Sequence, residues 1–442
     1  MSQTLEIRRC FLRVVVVFSQ LKAKLQEEWI LCRGYCKIAY LDLFSLFSFM
    51  TYKVLFYLRG SKKDGNKKWN ISMDARILTN NVSGLERYIY QLTVHLSKIE
   101  TEKCFYIFLH QPAFENKVGQ NFKEEIAKDL KKLITSQNKK IAYGEIELFH
   151  VTWQDMHWYH NLPLIWSKRS VITIHDLINL LTPEYHHLLE RVMYKILLKC
   201  VVRWADRIIA ISEYTKQDII KHLNADKKKI KVIHPATDSR FQPILNRKVI
   251  EIMKSKYHIQ GRYILTVGKS YIHKNIPHLI KAFKNLVSKE NIEHKLVLVG
   301  EKYLVQANLQ IQKIIAELDL EEKVIWLGYI DDEDMPAMFT GADLFVLPSY
   351  YEGFGFPVLE AMSCGTPVIA SNVTSIPEVV GDAGILVSPT DVEELTRSMS
   401  ALLKDQELRN TLIKKGLERS KTFSWEKCAR ETLEVYNELL NS

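Results

Sequence analysis

Two glutamates, Glu352 and Glu360, lie eight positions apart and enclose a glycine-rich run, EGFGF. Glycines let the backbone of such a loop come close to a ligand. A helix that begins there also presents free N–H groups and the positive end of its dipole to an anion, typically phosphate. Carboxylates before and behind the loop can accept hydrogen bonds from hydroxyl groups on both sides of that phosphate. This arrangement fits a nucleotide sugar, whereas the alternative is a surface loop beside a solvated glutamate.

A strand, a short helix and a second strand must position this loop. Residues 344–347 are apolar and β-rich, which is typical of a strand buried on both faces. Pro348 ends that strand, Pro357 suits the first helical position, and Gly365 suits the residue just past the helix. The next strand is expected to begin within 367–371.

The run EGFGFPVLE, followed by AMSCGTPVIAS, resembles the E-x7-E motif of retaining glycosyltransferases of family 4, which have the GT-B fold. The resemblance extends from residue 69 to the C-terminus, and the pattern is similar to that of mannosyltransferases. It implies that Glu352 contacts hydroxyls of the donor sugar and that Glu360 contacts the ribose. Backbone amides of four residues are expected to face the sugar and diphosphate: Gly353, Phe354, Gly355 and Phe356.

A second glycine loop opens the first half of the chain, in MDARILTNNVSGLERYIYQL. The pattern predicts a strand at 70–75, a loop at 79–84 and an amphipathic helix at 85–96. This stretch resembles the opening of the same enzymes, in which a small residue and a glycine stand at the bend. The pair here is Ser83 and Gly84, in place of the commoner Gly-Gly or Thr-Gly, and it is expected to lie at the donor.

His175 ends a predicted strand at 171–175, in VITIHD. The carboxyl end of a strand in an open parallel sheet faces the ligand crevice. A lone histidine is more often structural, but TIHD followed by LxxLxxPEY resembles the segment whose histidine reaches the donor sugar and phosphate. Asp176 is expected either to join it or to cap the next helix. The aromatic run at 153–159, WQDMHWY, is expected either to line the acceptor side or simply to pack.

Gly268, Lys269 and Lys274 follow the first strand of the second half, in GKSYIHKN. Two ammonium groups there suit a diphosphate and offset charge on a leaving nucleotide; the alternative is a pair of solvated lysines. The family usually has Arg at the first position, and Lys269 cannot give the bidentate fork of Arg. A Walker A loop is excluded because its first glycine would stand at Tyr263.

Strands alternate with helices along both halves, which predicts an α/β protein with two mostly parallel sheets. The resemblance implies GT-B architecture: two Rossmann-like domains that face a cleft, with a C-terminal helix that crosses back to the first domain. We expect an extension at 1–66, an acceptor-binding domain at 67–241, a nucleotide-sugar-binding domain at 242–422 and the crossover helix at 423–442. Six strands are predicted in the second half, at 263–267, 295–299, 324–327, 344–347, 367–371 and 384–387.

Composition is that of a globular protein, with 47% hydrophobic and 25% charged residues among 442. Seven scattered cysteines without a C-x-x-C pair favour a reducing compartment, the cytoplasm, and argue against a structural zinc site. The acidic run at 331–334 is interpreted as a helix cap rather than a metal site. No metal and no cofactor are expected beyond the nucleotide-diphosphate sugar, which is a co-substrate.

The net charge of +10 is concentrated at the start of the chain: residues 1–70 contain 13 Lys or Arg and 5 Asp or Glu and so contribute +8. This segment suits an anionic membrane surface rather than nucleic acid, since no nucleic-acid module is evident. Its longest charge-free run within 38–58 is ten residues, short of the roughly twenty that span a membrane. Residues 1–66 are expected either to lie at the cytoplasmic membrane face or to be an extension without a role, as from a misplaced start codon.

These observations favour an enzyme that moves a hexose to an acceptor hydroxyl. The resemblance implies retention at the anomeric carbon, and its mannosyltransferase-like pattern favours mannose from GDP-mannose. The expected partners are the nucleotide-sugar donor and a glycan or lipid-linked glycan of a surface polysaccharide, without nucleic acid. Alternatives are UDP-glucose or another donor, a synthase that makes a free disaccharide, and a non-catalytic sugar-nucleotide-binding protein.

Overall fold

Two mostly parallel sheets, each flanked by helices, form the frame of the protein. The structure is a computed structural model that describes residues 55–59, 70–74, 84–99, 104–108, 147–154, 167–184, 187–290 and 292–442. The predicted extension 1–66 therefore lies outside the described residues except for 55–59, as do Ser83 and residues 155–159 of the aromatic run. Both sheets belong to one compact unit, Val54–Ser442.

The first sheet has seven described strands in the order β1-β3-β2-β4-β5-β6-β7. Their bounds are β1 Leu55–Arg59, β2 Asn70–Asp74, β3 Cys104–Phe108, β4 Leu148–Val151, β5 Arg169–Ile174, β6 Arg207–Ala210 and β7 Ile230–Val232. From β2 to β7 the pairing is parallel. β4 and nearly all of β5 are buried, as expected for apolar strands covered on both faces.

The edge strand β1 was not predicted. It pairs antiparallel with β3, and it lies within the segment 1–66 that the sequence pattern sets apart as an extension. Its sequence, LFYLR, overlaps the end of the largely apolar stretch 38–58. Composition alone therefore does not separate the strand from that stretch.

Four described helices accompany the first sheet. They are α1 Gly84–Lys98, α2 Ile178–Leu181, α3 Leu188–Trp204 and α4 Glu213–Leu223. Helix α4 begins after Ser212, whose side chain accepts a hydrogen bond from the Thr215 N–H, a regular N-cap. A short 3₁₀ turn, Lys227–Lys229, precedes β7.

The second sheet is wholly parallel, with its six strands in the order β10-β9-β8-β11-β12-β13. Its strands are β8 Tyr263–Val267, β9 Lys295–Val299, β10 Val324–Gly328, β11 Leu344–Leu347, β12 Val368–Ser371 and β13 Ile385–Val387. Its helices are α5 Arg247–Lys256, α6 Ile276–Glu290, α7 Val305–Glu317, α8 Met335–Thr340, α9 Phe356–Ser363, α10 Ile376–Val380, α11 Val392–Lys404 and α12 Gln406–Ser420. A 3₁₀ turn at Ile272–Lys274 precedes α6.

The last helix, α13 (Trp425–Leu440), returns to the first half and packs on α1, as predicted. The Tyr436 hydroxyl lies 2.6 Å from Nδ1 of His150 on β4, and His150 Nε2 lies 2.8 Å from the Thr173 hydroxyl on β5. Burial lowers the pKa of His150 to about 3, so the ring is neutral. This buried polar chain fixes α13 on the first sheet.

One apolar core cluster runs through both halves. It contains Tyr88 and Leu92 of α1, Phe354 and Val358 of the second half, and Trp425 and Tyr436 of α13. Burying a large apolar side chain contributes about 1.5–3 kcal/mol relative to exposure. The cluster therefore holds the halves against each other, and the GT-B prediction of two facing α/β domains is confirmed.

Candidate active site

The glycine loop between β11 and α9 meets the first half directly. Gly355 has φ 106°, and a Cβ added to it would lie 2.7 Å from Ile376 Cδ1. A Cβ on Gly353 would lie 2.5 Å from the carbonyl oxygen of His175. Both positions therefore require glycine, the first for its backbone conformation and the second for its close approach. Pro357 is the second residue of α9 rather than the first, because the helix begins at Phe356.

The carbonyl of Gly353 is held by hydroxyls at the start of α4. Ser212 Oγ donates to it at 2.8 Å, and Thr215 Oγ1 lies 3.3 Å away. Thr215 Oγ1 also lies 3.1 Å from the carbonyl oxygen of His175. These contacts join the glycine loop to the loop after β5, and no local sequence motif predicts them.

His175 is the first residue after β5, which ends at Ile174 and not at His175 as predicted. Its Nε2 lies 2.9 Å from the carbonyl oxygen of Thr152. A carbonyl only accepts, so Nε2 carries the proton and Nδ1 is the acceptor nitrogen. Burial lowers the pKa of His175 to about 4, which keeps the ring neutral at pH 7. The ring packs edge-on against Tyr88, 4.7 Å between centroids.

Lys274 and Glu352 form a buried ion pair at the other side of the glycine loop. Lys274 Nζ lies 2.7 Å from Glu352 Oε1, and their side chains are 12% and 11% exposed. The Ser349 hydroxyl donates to the same oxygen at 2.6 Å. Burial alone would raise the pKa of Glu352, but Lys274 and Ser349 hold it below its ordinary value. The structure thus brings together two residues that were predicted separately.

Gly268 and Lys269 lie at the carboxyl end of β8. A Cβ on Gly268 would lie 3.1 Å from Cε of Lys274, so the glycine borders the ion pair. Lys269 Nζ lies 2.7 Å from Glu301 Oε2 in the loop after β9, and 5.3 Å from the ring centroid of Tyr303. Lys269 is therefore near the predicted diphosphate position but engaged by an acid, and its diphosphate role stays a prediction.

Glu360, on α9, is almost fully buried and is paired with α1 of the first half. Arg87 Nη1 donates to Glu360 Oε1 at 2.6 Å, and Arg87 Nη2 donates to Asp332 Oδ1 at 3.0 Å. Arg240 Nη2 lies 3.3 Å from the other oxygen of Asp332. Burial raises the pKa of Glu360 more than Arg87 and Arg240 lower it. Arg87 follows Gly84 by less than one helical turn. Its place just after the predicted first glycine loop is the sequence feature that could have identified it as a residue of this site.

The acidic run at 331–334 ends at the N-cap position of α8, which Asp334 occupies as interpreted. Its side chain makes no capping hydrogen bond, so that part of the interpretation is wrong. Asp331 and Asp334 both accept from Lys256 Nζ, at 2.7 and 2.6 Å. Together with the contacts of Asp332, these bonds assign the run to ion pairs that link distant segments. The side chains of Asp331, Asp332 and Asp334 bond to distant residues rather than to the start of α8.

Gly84 and the two loop phenylalanines lie at the same contact between the halves. A Cβ on Gly84 would lie 3.4 Å from Cδ2 of Phe356. The buried Phe354 ring packs against Phe356 and Phe423, with centroids 5.3 and 5.7 Å away. Phe354 is thus a packing residue at the interface, which leaves its backbone amide for the predicted ligand role.

Asp176 adjoins His175 and the ion pair. Its Oδ1 accepts from the Ile178 N–H at 3.0 Å, and burial raises its pKa to about 6. Gln154 bridges the two residues: its Nε2 donates to the Asp176 carbonyl at 2.8 Å, and its Oε1 accepts from the His175 N–H at 3.0 Å. Gln154 belongs to the predicted aromatic run, where its amide has this positioning role.

Further contacts between the halves were missed in the sequence. His234 Nε2 lies 2.5 Å from Glu378 Oε1, and the same carboxylate accepts from the Glu213 N–H. The Tyr351 hydroxyl donates to Asp218 Oδ2 at 2.7 Å. Each pair joins residues more than 130 positions apart, so no local sequence motif predicts it.

Within the described part of the chain, no cluster of three or more His, Cys, Asp or Glu side chains is arranged to hold a metal ion. Over the same residues, no helix combines the length and apolar character needed to cross a membrane.

Two family models match the chain. The model described as "Glycosyltransferase Family 4" matches residues 82–241, and "Glycosyl transferases group 1" matches residues 250–419. These spans coincide with the two halves of the fold and include His175, Lys274, Glu352 and Glu360.

Curated relatives and solved structures agree with these matches. The chain is 36% identical to O-antigen chain mannosyltransferase B of Escherichia coli over 61% of its own length and 70% of that protein. It is 32% identical to the serotype-specific mannosyltransferase WbdA of Escherichia coli over 62% of its length, which spans 34% of that protein. HepE of Anabaena, crystallised with UDP and glucose, shares the fold at 19% identity and a TM-score of 0.62, covering 83% of this chain and 99% of that one. The chain therefore belongs to the family 4 glycosyltransferases and is an enzyme of the GT-B fold.

Proposed function

We propose that the enzyme transfers mannose from GDP-mannose to a hydroxyl group of a glycan or lipid-linked glycan in the assembly of a surface polysaccharide, with retention at the anomeric carbon. The names of two relatives support this substrate class, an O-antigen chain mannosyltransferase and a serotype-specific mannosyltransferase. UDP-glucose is the second donor to test, since HepE, a structural neighbour, was crystallised with UDP and glucose.

The observation that supports the site best is the buried Lys274–Glu352 ion pair beside the Gly353–His175 contact. Its two charged groups are 2.7 Å apart at the carboxyl ends of β8 and β11. A cation fixed there by an acid is preorganised to stabilise negative charge as it grows on a departing phosphate. The start of α9 adds backbone N–H groups and the positive end of its dipole.

In this proposal the sugar–phosphate bond breaks at the anomeric carbon, and the acceptor oxygen bonds to that carbon on the same face. The proton of the acceptor hydroxyl passes to the departing phosphate oxygen, so no strong protein base is needed. Lys274, with Lys269 nearby, offsets the charge of the leaving nucleoside diphosphate. Contact between the two halves excludes water, which would otherwise hydrolyse the donor.

His175 acts in the proposal as a neutral polar group. Its pKa of about 4, set by burial, and its Nε2–H bond to Thr152 leave Nδ1 to accept from a donor hydroxyl. Glu352 is assigned to hydroxyls of the transferred sugar. Glu360 is assigned to the ribose, where Arg87 is the group that the ribose must displace or share.

The proposal places the enzyme in the cytoplasm, without a metal or resident cofactor. The charge of +8 on residues 1–70, outside most of the described structure, supports a peripheral contact of that segment with an anionic membrane surface.

A transfer assay tests the proposal directly. The full chain is incubated with GDP-mannose, UDP-glucose or UDP-galactose and a mannose-terminated glycan, and the products are separated by mass. We expect a product one mannose heavier with GDP-mannose and an α-anomeric signal in its NMR spectrum. Tight donor binding without transfer or donor hydrolysis would instead identify a sugar-nucleotide-binding protein. A product formed only with another donor would replace mannose in the assignment.

A further inference from the structure

Helix α3 of the first half exposes a continuous apolar stripe to solvent. Five side chains in the N-terminal part of this helix are between 43% and 74% exposed: Leu188, Leu189, Val192, Met193 and Ile196. Their spacing of one, four, five and eight residues from Leu188 places them on one side of a helix. Most surface apolar residues are scattered singly, so a stripe of five marks a contact surface.

The same helix packs on the sheet with its opposite side. Tyr194, Leu198, Val201 and Val202 are buried in an apolar cluster with β5 and β6. Packing of the domain therefore needs only that side. The exposed stripe contributes nothing to the core that the structure describes.

Cationic side chains border the stripe at the carboxyl end of α3. Lys199 and Arg203 lie on the exposed side of the helix. The 3₁₀ turn Lys227–Lys229 adjoins them, since Lys229 Nζ donates to the carbonyls of Arg203 and Ala205 at 3.0 and 2.9 Å. The single acid of α3, Glu190, lies beside the stripe and accepts from the His187 N–H. One end of the surface is thus apolar and the other cationic.

We propose that this surface of α3 docks the enzyme on an anionic lipid bilayer, apolar end inserted at the headgroup boundary and cationic end against the lipid phosphates. Aliphatic side chains beside Lys and Arg are the composition of helices that lie in the membrane interface. A second copy of the chain is a poorer partner, because Lys199 and Arg203 would face apolar or cationic surface there. The inference rests on the proposed function, because a lipid-linked acceptor would be held at the bilayer surface where the enzyme docks.

Vesicle sedimentation of the full chain tests the apolar half of the surface. The vesicles contain equal parts of phosphatidylcholine and phosphatidylglycerol. Leu188→Ser with Leu189→Ser should lower the partition coefficient roughly tenfold or more, since two inserted leucines are lost. The matched control is Leu245→Ser with Ile252→Ser, whose side chains are similarly exposed on the second half. The control should bind as the unmodified chain does.

A second pair of variants tests the charge. Lys199→Gln with Arg203→Gln should weaken binding to the anionic vesicles by roughly fivefold per charge and leave binding to pure phosphatidylcholine unchanged. Sedimentation velocity without lipid tests whether a second copy of the chain binds this surface instead. A dimer that the Leu188–Leu189 variant dissociates, with vesicle binding unaltered, would overturn the proposal in favour of a second copy.

Unaltered vesicle binding in both α3 variants would also overturn the inference and assign any membrane contact to residues 1–66. Transfer to a soluble glycan is measured in parallel and should stay at the level of the unmodified chain, because the described contacts of the glycine loop involve none of these side chains. An unmodified chain that binds vesicles through α3 but transfers no sugar refutes the proposed function alone. The two failures are therefore distinguishable.

Discussion

Arg87 Nη1 lies 2.6 Å from Glu360 Oε1, so a helix of the first half holds the carboxylate that the motif assigns to the donor ribose. The Glu360 side chain is 4% exposed and that of Arg87 is 20% exposed. Arg87 also reaches Asp332, which Arg240 shares. Contact between the halves thus depends on a charged network as well as on the apolar cluster.

Replacing Arg87 alone should destabilise the protein. Arg87→Met leaves Glu360 buried without its nearest cation, and we expect a loss of about 2–3 kcal/mol in the free energy of unfolding. Arg87→Met with Glu360→Gln removes both charges and should recover more than half of that loss. Urea denaturation of both variants and of Glu360→Gln completes the double-mutant cycle. Two single-variant losses that add up to the loss of the double variant would show that the pair is not coupled.

Loss of either member of the Lys274–Glu352 pair should abolish most turnover. Lys274→Met and Glu352→Gln keep much of the side-chain volume, and we expect kcat to fall on the order of 10²–10³ as for one lost transition-state contact. Steady-state kinetics with the donor that the transfer assay identifies measures kcat for each variant, and circular dichroism confirms folding. The control is Lys289→Met, which breaks a surface ion pair with Glu393 and should leave kcat unchanged. Full activity in folded Lys274→Met would remove this residue from the site.

A methyl group at Gly353 should push the glycine loop away from the loop after β5, which contains His175. The added Cβ would meet the His175 carbonyl oxygen at 2.5 Å, and neither backbone can yield without moving a loop. We therefore expect Gly353→Ala to reduce kcat/KM by about 100-fold or more, as a misplaced catalytic group does. Gly416→Ala is the control, because its Cβ would meet Met362 no closer than 3.4 Å. Normal kinetics in Gly353→Ala would mean that this approach does not matter for activity.

Asp176 should make stability depend on pH in a defined direction. Burial raises its pKa to about 6, so the folded protein binds its proton more tightly than the unfolded chain. Stability therefore falls as pH rises from about 4 to about 6, and the penalty is fully present above that window. Asp176→Asn keeps an oxygen for the Ile178 N–H and removes the penalty. The stabilising effect of the substitution should then grow from pH about 4 to about 6 and stay constant beyond.

Urea denaturation at a series of pH values measures this difference. Asp382→Asn is the control, since Lys415 lowers the pKa of Asp382 and keeps it ionised across the whole window. Its effect should not change with pH. A pH-independent difference for Asp176→Asn would contradict the burial argument.

Much of the second half could be predicted from its sequence. The strands at 263–267, 295–299 and 344–347 have the predicted bounds, because each is a short run of apolar β-formers that ends at glycine or proline. The helix α9 follows from the glycine loop and Pro357. Where one contiguous motif contains both a strand or helix and the residues that end it, the sequence pattern is enough to predict its bounds.

Features that depend on distant residues could not be predicted. The partners of Arg87, Ser212 and Asp332 stand more than 90 positions away and meet them only when the halves face each other. The acidic run shows the limit of a local rule. The rule places Asp334 at the start of α8, but the carboxylate accepts hydrogen bonds from Lys256 and Tyr257 instead of capping the helix. Strand β1 was missed because only its pairing with β3 distinguishes it from the apolar residues before it.

Because α13 packs on α1 and the first sheet, the first domain is discontinuous in the chain. Its core uses Trp425 and Tyr436, which are encoded after the whole second domain. A fragment that stops near residue 241 would leave Tyr88 and His150 uncovered and would need a substitute for that helix. Chimaeras that exchange donor specificity between relatives must therefore retain the recipient's own last helix, and their second junction belongs just before Ser424.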